Sequence, residues 1–399
     1  LLPALAFKVF FAPMTDIKGK SAYNPARGPV EQIRRVLVEQ GVANHPYTKQ
    51  ILARIGDIPI EIVADNEMFA QEQLGIDKDF ATGLTRGKQV LLLGRNRGRF
   101  LKSCPATREY RCCDYQVLNI GMNCPMECVY CILQAYLNNP WLSFFVNTDD
   151  LFRELTAAFT AEPDRVWRIG TGEFTDSLAL DSITHLSRAL VSFMRDKPKA
   201  VLELKTKTAY IDNLRNLDHN GRTIVAWSLN SPVIMQKEEL KTASLGQRLA
   251  AAAECAKMGY RLAFHFDPII HHPGWQEGYR QTIARLFEKV AAENIVWISM
   301  GALRFLPSLK SIATTRFPNS KFFYDEFVLG LDNKFRYFRS LRVEMYKLIY
   351  EELKRKAAAN TCIYLCMESD EIWQEVFGYT PEEYGGLPAM LDRSAGLVR

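Results

Sequence analysis

Three cysteines carry the most specific chemistry in this chain. Asn123-Cys124-Pro-Met-Glu-Cys128-Val-Tyr-Cys131 spaces its thiols C-x3-C-x2-C directly after an apolar run, Gln116-Val-Leu-Asn-Ile120. Thiolates are the usual ligands of iron–sulfur clusters, and a cubane cluster has four irons to be held. Three thiolates on one short loop leave one iron open. That is the logic of a catalytic metal site, in which the protein withholds a ligand so that a substrate or cofactor takes the position. A structural zinc ion would use the same cysteines, with Cys104, Cys112 or Cys113 as fourth ligand. Zinc motifs normally come as two CxxC-type pairs separated by a finger-length loop, and no second pair is present.

The spacing is similar to the signature of the radical S-adenosylmethionine (SAM) superfamily. The resemblance implies a [4Fe-4S] cluster held by Cys124, Cys128 and Cys131, with the open iron chelated by the amino and carboxylate groups of SAM. One electron from an external reductant of flavodoxin or ferredoxin type then cleaves SAM to methionine and a 5'-deoxyadenosyl radical.

The elements that must position such a site follow in alternation. Strands are expected at Gln116–Ile120, Arg165–Ile169, Ala200–Leu204, Thr223–Ser228, Arg261–Phe266 and Ile295–Met300, with helical runs between them. Ser177–Met194 places Leu178, Ile183, Leu186, Leu190 and Phe193 near one helical face, and Gln247–Lys257 is closed by Gly259. The expected fold is α/β, a partial (β/α)6 barrel, with an N-terminal α/β module at 1–105, the barrel at 106–320 and a C-terminal α/β extension at 321–399. In the extension, Phe335–Ala358 reads as helix, Thr361–Met367 as a strand and the stretch from Tyr384 to Arg399 as loop. The extension is expected to close the open side of the barrel.

Barrel chemistry gathers at the C-terminal ends of strands, and polar residues do collect there. After the second strand comes Gly170-Thr-Gly172-Glu173, whose glycines permit close backbone approach and whose carboxylate suits an ammonium group. A plain turn with an exposed Glu is the competing reading. Lys205-Thr-Lys207-Thr208 and Ser228-Leu-Asn230-Ser231 end the third and fourth strands and suit a carboxylate or ribose, although solvated loops and turns use the same residues. His265-Phe-Asp267-Pro268 and His271-His272-Pro-Gly-Trp275 read as a polar pocket wall, because a metal site would want firmer spacing. Arg304-Phe305 ends the sixth strand.

Composition bounds the setting. With 399 residues, 48 % hydrophobic and 24 % charged, the chain has the composition of a soluble protein, and no window reaches the length of an apolar membrane span. Leu1–Phe7 is apolar but lacks the flanks of a signal peptide. Nine cysteines, mostly clustered between 104 and 131, do not form a disulfide framework and point to a reducing, cytoplasmic setting. The net charge of +5 says little by itself. Arg86, Lys88, Arg95, Arg97, Arg99 and Lys102 read either as a phosphate-facing surface or as a solvated loop. Oligomeric state is not legible.

Between Tyr47 and Cys366 the chain resembles the spore photoproduct lyase family of radical SAM enzymes. The likeness rests on Lys102-Ser-Cys104, the cysteine loop continuing Ile132-Leu-Gln134, Ser228-Leu-Asn230, Asp267-Pro-Ile-Ile with Gly274-Trp275, and Arg304-Phe305. It implies a lyase acting on adjacent thymines in DNA, with Lys207 and Ser228 as SAM contacts beside Gly172, Glu173 and Asn230. Two positions depart from the family. Glu173 stands where the lyase carries its hydrogen-donating cysteine, and Ile132 where it carries a tyrosine directly after the third cluster cysteine; Tyr130 is retained. Glu173 and Tyr130 are therefore candidate catalytic residues, and Cys113, of the adjacent Cys112–Cys113 pair, is the first candidate for a relocated thiol. Cys104, Cys255, Cys362 and Cys366 are others. The expected function is a radical SAM enzyme that abstracts hydrogen from a substrate not yet identified, nucleic acid among the candidates. A true photoproduct lyase with a relocated thiol and a non-catalytic, metal-stabilised nucleic-acid-binding protein are the alternatives.

Overall fold

The computed structural model describes residues 23–25, 27–65, 80–105 and 110–398, so the apolar segment Leu1–Phe7 lies outside the described residues. Parallel strands form where the apolar runs predict them: β5 (Gln116–Leu118), β9 (Trp167–Gly170), β10 (Ala200–Thr206), β11 (Thr223–Ser228), β13 (Arg261–Ile269) and β14 (Ile295–Ala302). One more, β18 (Cys362–Leu365), adds in parallel to β14, and β4 (Leu101–Ser103) lies antiparallel to β5 at the other edge. The order is β18-β14-β13-β11-β10-β9-β5-β4. β11 and β14 are buried at every position, as expected of parallel strands covered on both faces.

This sheet is curled into a partial barrel. Laid flat, β10 and β14 would stand three strand spacings, about 14 Å, apart. Yet Trp297 Nε1 on β14 donates to Glu203 Oε1 on β10 at 2.9 Å, and His265 Nε2 on β13 lies 2.9 Å from the same oxygen. Only a sheet bent around that face brings these tips together.

A second sheet, β2-β1-β3-β8-β6, is built from β1 (Arg35–Glu39), β2 (Ile60–Val63), β3 (Val90–Gly94), β6 (Gly121–Met122) and β8 (Leu142–Phe145). β3 is a continuous buried run, whereas edge strand β2 exposes Ile60 and Ile62. Sheet membership crosses both expected domain boundaries: β6 and β8 follow residue 105 but complete the N-terminal sheet, and β18 follows residue 320 but joins the barrel. A two-strand ladder pairs β7 (Glu127–Cys128) with β12 (Glu239–Leu240), and β15 (Arg304–Phe305), β17 (Phe335–Tyr337) and β16 (Phe327–Leu329) make a small antiparallel sheet.

Three segments differ from expectation. Ser177–Met194 is not one helix but Asp181–Thr184 and Leu186–Met194, with left-handed His185 between them. The carboxylate of Asp181 accepts from Ser187 N and Oγ and from Asn213, while Asp176 takes Thr206 Oγ1 and the Lys207 amide. Side-chain bonds thus replace the helical ladder upstream. The run from Phe335 begins as strand β17 before the helix Arg339–Lys354. The C-terminal stretch read as loop contains a helix, Leu387–Ser394, with Pro388 in its first turn and Leu387 and Leu391 buried one turn apart. Asp392 anchors it to Arg168 at 2.6 Å.

Gly170 shows how tightly the barrel is filled. A Cβ there would lie 1.4 Å from Tyr115 Oη, which donates to Glu203 Oε2 at 2.8 Å. Gly170→Ala is expected to destabilise the fold by about 1–3 kcal/mol, the usual range for overpacking, read as a lower urea midpoint. An unchanged midpoint would contradict this packing.

Candidate active site

The cysteine loop is shaped before any ligand is considered. Asn123 adopts φ 68, a conformation Asn tolerates because its side chain bonds locally. Its amide donates to Pro140 O at 2.9 Å and accepts from Cys124 N at 2.8 Å. Cys128 then enters the β7–β12 ladder opposite Glu239. Cys128 is buried, Cys124 and Cys131 half-buried, and all three are free thiols. Burial pushes the Cys124 and Cys128 thiols up, Cys128 to about 12, and both feel the charge of Cys131. The three sulfurs therefore share one neighbourhood.

Cys104, Cys112 and Cys113 instead have Glu173, Cys366 and Arg168 as charged or thiol neighbours. Among the described residues no three ligand side chains gather around a single ion. A cubane asks each cysteine for a different iron, so three free thiols on one loop without a fourth suit a cluster with an open position.

Around the loop lies a band of ion pairs. Along β10, Glu203, Lys205 and, just past its end, Lys207 share one face by the two-residue period of a strand. Lys205 Nζ is 2.7 Å from Glu173 Oε1. Burial opposes the Lys205 charge, but Glu173 and Glu203 outweigh it and raise its affinity for the proton. Gly172 lies beneath this pair, where a Cβ would come within 3.0 Å of Lys205 Cβ. Lys207 Nζ reaches Tyr130 Oη at 2.7 Å and Glu239 Oε1 at 2.9 Å, and the Tyr130 hydroxyl also donates to Glu239. Fully buried Arg248 joins Glu239 at 2.6 Å and the Ser228 carbonyl at 2.7 Å. Tyr130, Lys207 and the Ser228 carbonyl thus belong to one network at the cysteine loop, and Glu173 to a separate pair with Lys205.

Asn230 has a different position. Its amide donates to Pro268 O at 2.7 Å and accepts from Tyr279 Oη at 2.6 Å, so both ends are spent on the β13 exit. The three histidines of the pocket wall diverge: His265 to Glu203 and Ser299, His271 to Asp325, His272 to Ser231. The basic approach segment is also dispersed. Arg95 pairs with Asp150, Arg97 with Glu39, and Lys88 is buried.

Four other thiols lie near one another, and Cys104 and Cys366 among them are close to Glu173. Cys112 accepts from the Asp114 amide at 3.4 Å, and Cys104, Cys112 and Cys113 are near enough to shift one another's proton affinity. Cys366, just beyond β18, lies 3.5 Å from Arg304 Nη2 and feels Asp267, Glu173 and Lys205; burial pushes its thiol up to about 12. Cys255 and Cys362 are buried in the core, Cys362 on β18 with Arg168 among its charged neighbours.

The sequence reading missed Glu239, Arg248 and the place of Cys366. The first two carry no motif, and Cys366 is far from residue 104 in the chain. Alternating charge along β10 was the available signal.

The family model described as spore photoproduct lyase matches residues 32–369. The chain belongs to the spore photoproduct lyase family. It is therefore a radical SAM enzyme whose cofactors are a [4Fe-4S] cluster and SAM. Spore photoproduct lyase of Geobacillus sp. (strain Y412MC61) is 26 % identical over 332 residues, covering 82 % of this chain and 92 % of that one. The Bacillus subtilis (strain 168) enzyme is 24 % identical over 324 residues, covering 79 % and 90 %. Among solved structures, a mutant spore photoproduct lyase with bound AdoMet and dinucleoside spore photoproduct matches with TM-score 0.74 at 23 % identity, covering 86 % of this chain and 99 % of that one. That likeness establishes the partial-barrel fold. Among the described residues no helix is long and apolar enough to cross a membrane.

Glu203 supplies a pH test of the barrel interior. Burial opposes its ionisation, but His265, Lys205 and the Tyr115 hydroxyl outweigh it and hold the carboxyl at about 2, against 4.5 ordinarily. A depressed carboxyl contributes stability above its unfolded value and loses it as pH falls through the folded one. Glu203→Gln is expected to flatten the loss of stability between pH 4.5 and 2 and to cost about 1–3 kcal/mol at neutral pH. Urea midpoints across that range check both.

Proposed function

We propose that this protein is a lyase acting on a covalent lesion between adjacent bases in DNA, closing its reaction with a relocated thiol. The observation that carries this reading is the position of Cys104 and Cys366 near Glu173, with Cys112 and Cys113 next to them. The substrate class comes from the family, whose relatives are spore photoproduct lyases and whose solved members hold a dinucleoside spore photoproduct.

Cys124, Cys128 and Cys131 hold the cluster. Together with SAM it supplies, when bound, the 5'-deoxyadenosyl radical that abstracts hydrogen. Glu173 offers a carboxylate to the SAM amino group, with Lys205 as its fixed partner, and Gly172 keeps the backbone approachable. Lys207, Ser228 and Asn230 line the remaining strand ends, and Tyr130 fixes the Lys207 ammonium over its ring. A donor thiol must carry its proton. Cys366 and Cys113 do, because burial pushes the first up and the neighbouring Cys112 thiol together with burial pushes the second up. The substrate radical first breaks the bond joining the two bases, leaving one base intact and the other as a carbon radical; donation then breaks S–H homolytically, forms C–H on that radical and leaves a thiyl. One electron from a flavodoxin- or ferredoxin-type reductant and one proton restore the thiol. Nine free cysteines suit a reducing cytoplasm.

A second reading keeps radical generation but ends in another product. It is favoured by the joint replacement at Glu173 and Ile132.

Anaerobically reconstituted protein with dithionite, SAM and dinucleoside spore photoproduct is expected to yield 5'-deoxyadenosine and repaired dinucleoside. Product formed in D2O should carry one deuterium from the exchangeable thiol. Cys366→Ala or Cys113→Ala should reduce repair at least about tenfold, a barrier change of about 1.4 kcal/mol, while 5'-deoxyadenosine still forms; Cys255→Ala should not. Cleavage of SAM without repair would favour the second reading. Repair at wild-type rates in both thiol variants would remove the relocated donor.

A further inference from the structure

The cysteine loop is gripped from behind by side chains outside it. Gln32 donates to Pro125 O, Lys88 Nζ to Met126 O at 2.5 Å, and Gln134 Nε2 to Cys128 O and Val129 O at 3.1 and 3.0 Å. Lys88 reaches the loop from the turn before β3, so the N-terminal sheet acts directly on the cysteines. The loop's own carboxylate, Glu127, lies 2.6 Å from Arg316 Nη2, 3.3 Å from Lys88 Nζ and 3.8 Å from Lys241 Nζ.

The charges do not balance. Side-chain exposure is 2 % for Lys88, 1 % for Arg316 and 4 % for Glu127. Two buried cations therefore face one buried carboxylate, with half-buried Lys241 as a third positive group. Among the described residues neither Lys88, Arg316 nor Lys241 forms another ion pair. Arg316 Nε is buried without a hydrogen-bond partner among them. An uncompensated buried charge is costly, so the arrangement calls for an anion on the loop's other side. A cubane bound by three thiolates is an anion, and it gains a further negative charge on reduction. Fixed positive charge nearby favours the reduced form, since net charge is one of the determinants of cluster potential.

We propose that Lys88 and Arg316, with Lys241 at the rim, form a cationic cradle that raises the reduction potential of the cluster and brings it within reach of a one-electron donor. These are positioning residues, and the inference rests on Cys124, Cys128 and Cys131 holding the cluster.

The test is a reductive titration of reconstituted protein followed by electron paramagnetic resonance, with iron and sulfide content measured on each sample. Lys88→Met is expected to lower the reduced-to-oxidised ratio at a fixed potential about tenfold, equal to a midpoint about 59 mV more negative for a one-electron couple. Lys241→Gln should lower that ratio in the same direction, and Lys88→Arg should stay within about twofold of wild type, less than 0.5 kcal/mol. Where Lys88→Met loses the cluster, Lys241→Gln decides, because no loop carbonyl bonds to Lys241. Wild-type ratios in Lys241→Gln and in any cluster-bearing Lys88→Met protein overturn the cradle alone. Wild-type protein that takes up no iron and sulfide overturns the cluster assignment beneath it.

Discussion

Ionised side chains on one face of β10 are the constraint around which the barrel is built. Glu203, Lys205 and Lys207 stand on successive same-side positions of a strand whose other positions are fully buried. Charges in such a place need partners, and these come from other strands of the sheet, from the loop after β9, and from the cysteine loop and its β7–β12 ladder. Glu203 draws in Tyr115, His265 and Trp297; Lys205 draws in Glu173; Lys207 draws in Tyr130 and Glu239. Satisfying Glu203 requires the sheet to curl, because His265 and Trp297 stand two and three strands away from it.

The same requirement organises the site from floor to rim. The Glu203 network closes the floor with no position for solvent-borne reactants, since its members are buried. One step up, the Glu173–Lys205 pair lies by the strand ends, with the Cys104 and Cys366 thiols near Glu173. A site that handles carbon radicals gains from this layering. Fixed charges hold polar groups in place, water is kept out below, and any hydrogen donor present is one the protein itself has positioned.

Legibility in the sequence followed the range of the interaction. The cysteine spacing and the strand runs are local patterns, and the strands appear where residues a few positions apart predict them. Expectations failed where a distant partner overrode a local pattern. Asp181, bonded to Ser187 and Asn213, breaks what reads as a continuous helix. The histidines crowded between 265 and 272 part company because adjacent strand and loop residues point to different neighbours.

By itself, then, the sequence determined that three cysteines share one short loop and that the chain alternates strands and helices as a partial α/β barrel does. These depend on composition and short spacings, which chain order preserves. Tertiary structure alone decided that Cys366 joins Cys104, Cys112 and Cys113, that Glu239 and Arg248 fix Lys207, and that Lys88 and Arg316 stand behind the cysteines. Those contacts join residues far apart in the chain through the curl of one sheet and its packing on another, and no local pattern encodes which distant side chains such a closure brings together.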